Sequence, residues 1–153
     1  MHIRPIAVEE ARILRRAVLR PNLPPEASVF SGDDQPTSLH LGAFESDELV
    51  GIATLIQDPC PADGSGDDWR LRGMATAPRV RNRGIGGALL SRCIAHVRDA
   101  GGRCLWCNGR SDARRFYERH GLKAVGEEFV SPHTGPHYLF VLELNDSYPF
   151  KSR

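Results

Sequence analysis

Arg81-Asn82-Arg83-Gly84-Ile85-Gly86-Gly87-Ala88 is the stretch of this 153-residue chain from which its fold is read. A helical pattern follows at once. Ile85, Leu89, Cys93 and Val97 recur every four residues, and Leu90 and Ile94 widen the stripe, so the spacing predicts a helix with one buried face over Gly84 to Asp99. Gly101-Gly102 ends it. The first turn of a helix exposes backbone N–H groups that no helical carbonyl can take, and the helix dipole adds positive potential there. Glycines let the backbone approach a phosphate closely because no Cβ intervenes. Three glycines and two arginines in that place form an anion cradle, which implies a phosphate-bearing ligand.

A glycine turn can also serve packing alone, so the loop needs context. Spacing removes two other nucleotide motifs. A dinucleotide G-x-G-x-x-G counted from Gly84 needs glycine where Leu89 stands, and no Gly-Lys-Ser/Thr of a P-loop occurs.

Working outward, His2 to Ile6 reads as a strand and Val8 to Leu19 as a helix with Glu9 and Glu10 in its first turn. Pro21 stops that helix, and three prolines between Asn22 and Pro36 make a loop with one short helical turn near Glu26 to Phe30. Leu39 to Phe44 and Leu49 to Ile56 read as a hairpin around Glu45-Ser46-Asp47-Glu48. A Pro-, Gly- and Asp-rich loop, Asp58 to Asp67, leads into a strand from Asp68 to Thr76. Arg103 to Cys107 is the next strand. Ser111 is the expected cap of a helix reaching His120, with Gly121 as its stop. Ala124 to Val130 and Tyr138 to Leu144 complete the sheet, with a loop from Ser131 to Pro136 between them. Residues 1–145 are expected to form one domain, and residues 146–153 a loose tail.

Bulk properties are those of an ordinary globular chain. The net charge of +1 gives no electrostatic footprint for nucleic acid. No apolar run approaches the ~20 residues that span a bilayer, and the N-terminus lacks a secretory pattern. Four cysteines make a disulfide framework improbable, so a cytoplasmic location is the simplest expectation.

Arg81-x-x-Gly84-x-Gly86, after a strand and opening a helix, resembles the acetyl-CoA signature of the GNAT superfamily of N-acetyltransferases. Asn108, followed by Ala113-x-x-Phe116-Tyr117-Glu118-x-x-Gly121-Leu122, is similar to that family's next block, 27 residues on. The order of elements from His2 to Leu144 fits the same fold. The resemblance therefore implies an α/β architecture: a single-domain, mixed but mostly antiparallel sheet of about seven strands flanked by helices. The implied activity is transfer of an acetyl group from acetyl-CoA, as cosubstrate and without a metal, to a primary amine of a small molecule or peptide. A non-catalytic acyl-CoA-binding or sensing module is the alternative. Partners would be that amine and, by analogy, a second copy in a homodimer; neither nucleic acid nor a membrane is expected.

By the same resemblance, backbone amides of Asn82, Arg83, Gly84, Ile85, Gly86, Gly87 and Ala88 hold the diphosphate, with Arg81 and Arg83 adding charge. Met74, Ala75 and Thr76 run beside the pantetheine arm, and a main-chain N–H there polarises the thioester carbonyl. Asn108 bonds the pantetheine. Tyr117 would protonate the departing thiolate, since a phenol of pKa near ~10 keeps its proton at cell pH. Packing a helix on the sheet is the competing role for that tyrosine.

An attacking amine must be neutral, and the sequence leaves the proton acceptor open among His40, Asp68, His137 and water. Cys104-x-x-Cys107 lies on a strand, where positions three apart face opposite sides, so packing is favoured over metal or redox chemistry. His133 and His137 are four apart, yet Gly135 and Pro136 forbid a helix that would align them. Arg70 and Arg72 share one strand face. They either pair with carboxylates such as Glu127 or Glu128, or contact an anionic group on the acceptor. The loops Asn22 to Pro36 and Ser131 to Pro136 are the expected acceptor-facing segments.

Overall fold

The computed structural model describes residues 1–144 apart from 63, 65 and 133. The expected tail, residues 146–153, and His133 thus lie outside the described residues. Elements follow as β1 (His2–Pro5), α1 (Val8–Leu19), β2 (Leu39–Glu45), β3 (Glu48–Gln57), β4 (Asp68–Thr76), α2 (Ile85–Asp99), β5 (Cys104–Arg110), α3 (Arg114–Arg119), β6 (Lys123–Ser131) and β7 (Gly135–Glu143). The strands hydrogen-bond in the order β1-β2-β3-β4-β5-β7-β6. β1–β2, β2–β3, β5–β7 and β6–β7 pair antiparallel, while β4–β5 is parallel. This is the mixed, mostly antiparallel seven-stranded sheet that the sequence implies.

Two compact units divide the chain. The first comprises Met1–Ile56 and Leu71–Cys93, the second Gln57–Arg70 and the chain from Ile94 onward. In the first, α1 starts with the Ala7 N–H donating to the Glu10 carboxylate at 3.1 Å. Its face of Ala11, Leu14 and Val18 packs with Ile52 of β3 and Ala75 of β4. Ser46 and Asp47 both have positive φ, 49° and 66°, which is the two-residue turn whose twist suits a hairpin. Gly51 of β3 leaves room for α2: a Cβ there would stand 2.8 Å from Ile85 Cγ2 and 3.0 Å from Leu89 Cδ1. Leu89 and Leu90 are fully buried, each stabilising by about 1.5–3 kcal/mol.

In the second unit, β5 pairs with the start of β4 at Asp68↔Cys104 and with β7 from Cys104↔Glu143 to Arg110↔His137. Its stretch Cys104–Cys107 is buried throughout, as a strand paired on both edges and covered on both faces must be. β6 is the outermost strand and is exposed along most of its length.

Two sequence expectations are corrected here. No continuous helix runs from Ser111 to His120. Residues Ser111–Ala113 form a 3₁₀ turn, α3 follows it, and Ser111 makes no cap because its hydroxyl donates to the Glu128 carboxylate of β6 at 2.6 Å. The second concerns the ends of Ser131 to Pro136, which are strand: Val130↔Pro136 and Ser131↔Gly135 extend the β6–β7 ladder, while Pro132 and Thr134 stay in the turn. Proline is tolerated there because it sits at the beginning of β7. Gly121, with φ of 94°, does end α3, and the Leu122 N–H closes back on the Tyr117 carbonyl at 3.1 Å.

Candidate acetyl-CoA site

The glycine loop belongs to the first unit. A 3₁₀ turn, Pro78–Val80, anchors it through buried Val80. Residues Arg81 to Gly84 are exposed, with Asn82 and Gly84 at φ of 66° and 81°. The first backbone bond of α2 runs from the Ala88 N–H to the Gly84 carbonyl at 3.0 Å. Among the described residues the N–H groups of Ile85, Gly86 and Gly87 therefore have no backbone acceptor. Nothing lies within 4 Å of where a Cβ on Gly84 would stand, so the approach to them is open. The Ala88 N–H, by contrast, is spent inside the helix. The Ile85 side chain is buried, which fixes the direction of the first turn.

Arg83 bonds the Glu45 carboxylate at 3.1 Å, and Arg79 bonds Glu48 at 2.7 Å. Both pairs are largely exposed and worth little in water, so either arginine can turn to another anion at small cost. They line a polar cavity of about 320 Å³ together with Ser46, Val50 and Val80. On β4, Gly73 has φ of 64°, which breaks the pleat directly before Met74. Ala75 points into the core with Ala11 and Ile52, so half-buried Met74 and Thr76 take the alternate face.

Asn108 and Tyr117 belong to the second unit. Asn108 lies on β5 opposite Leu139 with its side chain exposed. Tyr117 stacks on Phe140 at 4.6 Å between ring centroids and meets Phe116 edge-on at 5.2 Å. Gly109 makes that seat possible, since a Cβ there would stand 2.5 Å from Tyr117 Cε2. The phenol and the Cys107 thiol are neighbours. Burial first, and the neighbouring thiol second, push the ionisation of Tyr117 well above its ordinary 10, so the phenol keeps its proton. Burial pushes the Cys107 thiol up to about 12, and there is no thiolate in this corner at neutral pH.

The three candidate bases all carry interior hydrogen bonds. His40 Nδ1 meets Thr54 Oγ1 at 2.8 Å, and Nε2 donates to the Asp33 carbonyl at 3.0 Å. Asp68 is fully buried, paired with Arg103 at 2.9 Å, and accepts the Cys60 N–H. His137 meets the Gly135 carbonyl at 2.7 Å and Thr134 Oγ1 at 3.3 Å. Arg70 pairs with Asp58 at 3.5 Å and lies over Trp106, which corrects the expected pairing with Glu127 or Glu128. Cys104 and Cys107 diverge as a strand requires, Cys104 toward Cys60 and Cys107 toward Tyr117. All four cysteines are free and buried. Burial, then the Asp68 carboxylate, push Cys104 up to about 12. Among the described residues no cluster of His, Cys, Asp and Glu could hold a metal ion.

Sequence reasoning missed a buried polar network in the first unit. Arg15 of α1 is fully buried, bonded to the Asp33 carboxylate at 2.8 and 3.2 Å, the Ser28 carbonyl at 2.7 Å and Thr54 Oγ1 at 2.9 Å. The signal existed: positions 11, 14, 15 and 18 make one helix face, and Arg15 sits on it.

A mixed sheet of this order, with a glycine-rich turn opening α2 after β4, defines an acyl-CoA transferase fold. Residues 8–122 match the model of the Acetyltransferase (GNAT) family. The chain belongs to that family and is an acyltransferase. A curated relative from Bacillus subtilis (strain 168), the uncharacterised N-acetyltransferase YitI, is 30% identical over 147 residues, which is 96% of this chain and 99% of that protein. Escherichia coli ElaA has the same fold, with TM-score 0.76, 19% identity, and 93% and 99% of the two chains covered. So has an aminoglycoside 6′-N-acetyltransferase crystallised with coenzyme A, with TM-score 0.74, 17% identity, and 95% and 98% covered. No helix among the described residues is long and apolar enough to cross a membrane.

Proposed function

We propose that this protein transfers the acetyl group of acetyl-CoA directly to a primary amine of a small molecule or peptide, with residues 1–145 acting as one domain. The observation that carries this reading is the trio of unengaged N–H groups at Ile85, Gly86 and Gly87, beside an open Gly84. Three convergent donors at a helix N-terminus suit a diphosphate, and exposed Arg81 adds charge. Arg83 exchanges Glu45 for a phosphate oxygen. Met74, Ala75 and Thr76 line the pantetheine arm, and Asn108 hydrogen-bonds it.

Bound acetyl-CoA supplies an activated thioester. The neutral amine forms the new C–N bond as the C–S bond breaks, its surplus proton passes to solvent, and the sulfur takes a proton from the Tyr117 phenol. Burial keeps the phenol protonated at neutral pH, so its proton is available to the departing sulfur, and solvent returns a proton to the phenolate afterwards. His40, Asp68 and His137 serve the fold, and none is assigned as base.

The test is to incubate the protein with acetyl-CoA and a panel of amines, following free thiol and the 42-dalton mass gain of the acetylated product (about the mass of a ketene unit, C₂H₂O). Turnover on at least one amine is expected. Tight binding of coenzyme A without turnover on any amine would make the protein a holding or sensing module instead.

A further inference from the structure

Three guanidinium groups of the first unit converge on one ring. Arg15, Arg72 and Arg20 lie 4.0, 4.3 and 5.6 Å from the centroid of Phe30. Arg12 adds a fourth positive charge nearby, 3.2 Å from Asp33 and 3.7 Å from Asp34. Asp33 answers Arg12 and Arg15, and both terminal nitrogens of Arg15 are satisfied. Arg20 differs. It donates to the carbonyl of its own neighbour, Leu19, at 3.0 Å, and no carboxylate among the described residues pairs with it. The Nε of Arg15, fully buried, also has no acceptor among the described residues, and it faces Gly73, where a Cβ would stand 3.0 Å away.

A guanidinium carries five N–H donors, so Arg20, which spends one of them on the Leu19 carbonyl, keeps an edge that matches a carboxylate or phosphate in a two-point contact. Arg72 stands two residues before Met74 on the same strand, so about 7 Å of backbone separates it from the stretch assigned to the thioester end. We propose that Arg20, with the charge of Arg72 beside it on Phe30, binds an anionic group of the acceptor, so that the acceptor is a primary amine carrying a carboxylate or a phosphate. This rests on the transferase reading above. Phe30 orients the two arginines, and the Arg15–Asp33 knot beneath holds Phe30 through its backbone N–H, which donates to Asp33 at 2.9 Å.

The experiment uses matched acceptors: glycine and β-alanine against their amides, and phosphoethanolamine against ethanolamine. The anionic member is expected to show roughly tenfold or greater kcat/KM, as two charge-assisted hydrogen bonds warrant. The carboxylate and phosphate arms decide which anion is preferred. Arg20→Met should raise KM for the anionic member roughly tenfold and leave KM for acetyl-CoA unchanged, and Arg20→Lys should restore part of the loss. Independently of turnover, inorganic phosphate should raise the melting temperature of the wild type by more than that of Arg20→Met, whose remaining rise comes from the glycine loop. Equal rates on both members of every pair, or an equal loss for both in Arg20→Met, would overturn the anion site while leaving the transferase intact. Failure of the transferase reading would show as no turnover on any amine, and a phosphate-insensitive wild type would then overturn the anion site as well.

Discussion

Replacing Asp33 with alanine removes the acceptor at the centre of the buried network in the first unit. Its carboxylate, 1% exposed, takes bonds from Arg15 at 2.8 and 3.2 Å, Arg12 at 3.2 Å and the Phe30 N–H at 2.9 Å. Burial pushes the Asp33 carboxyl up, but Arg15, the Phe30 amide and Arg12 together outweigh it and hold it below its ordinary 3.8. Arg15 cannot lose its proton, so in the variant it remains a fully buried cation with only the Ser28 carbonyl and Thr54 Oγ1 left. Breaking a buried pair from one side costs about 3–5 kcal/mol, a large part of the ~5–15 kcal/mol that holds a domain together. For a chain of this size that is a fall in Tm of about 6–20 °C. Urea unfolding followed by circular dichroism measures it, in a cycle with Arg15→Met and the double variant. The double variant leaves no orphaned charge and should be at least ~2 kcal/mol more stable than the summed single losses. A cost for Asp33→Ala below ~1 kcal/mol, or a cycle additive within ~0.5 kcal/mol, would refute the reasoning. The pH dependence follows from the lowered folded-state pKa. The stabilisation is fully present above pH 3.8 and is lost as pH falls through the lower folded value, so acid sensitivity from this group is confined below about pH 4.

Three further outcomes concern the site. Tyr117→Phe should lower kcat by about 10²–10⁴-fold with little change in KM for acetyl-CoA, measured by thiol release. Because burial holds the Tyr117 proton above the ordinary 10, the wild-type rate should not fall through pH 10 from loss of that proton. Gly109→Ala places a methyl 2.5 Å from Tyr117 Cε2 and 2.8 Å from Phe140 Cδ2, so the phenol must shift. It should lower kcat by itself, at a stability cost of about 1–3 kcal/mol, and add little when combined with Tyr117→Phe. Gly84→Val meets open space, so its cost is the strain of φ 81°, about 1–2 kcal/mol by thermal unfolding, with a raised KM for acetyl-CoA.

Local patterning carried most of the architecture. The helix Val8–Leu19 and the strand Asp68–Thr76 begin and end where proline, acidic first-turn residues and apolar runs place them, because these signals act on neighbouring residues. Ser111 shows the limit of that logic. A good capping residue was drawn off by Glu128, 17 positions away, and the helix shortened. The loop expected over Ser131 to Pro136 is shorter for a similar reason, since cross-strand pairing takes Ser131, Gly135 and Pro136 into the sheet.

Sequence alone determined the family and the place where α2 opens with N–H groups that no helical carbonyl takes, because spacing along one helix encodes which backbone groups lack partners. Only the tertiary structure decided the fate of the ionisable side chains. The proton acceptor stood open among His40, Asp68, His137 and water until the partners of those side chains appeared, and Arg15 was not legible as a fully buried cation. Whether a charge is answered depends on groups distant in sequence, such as Asp33 or Arg103, and their approach is set by packing that no local pattern records.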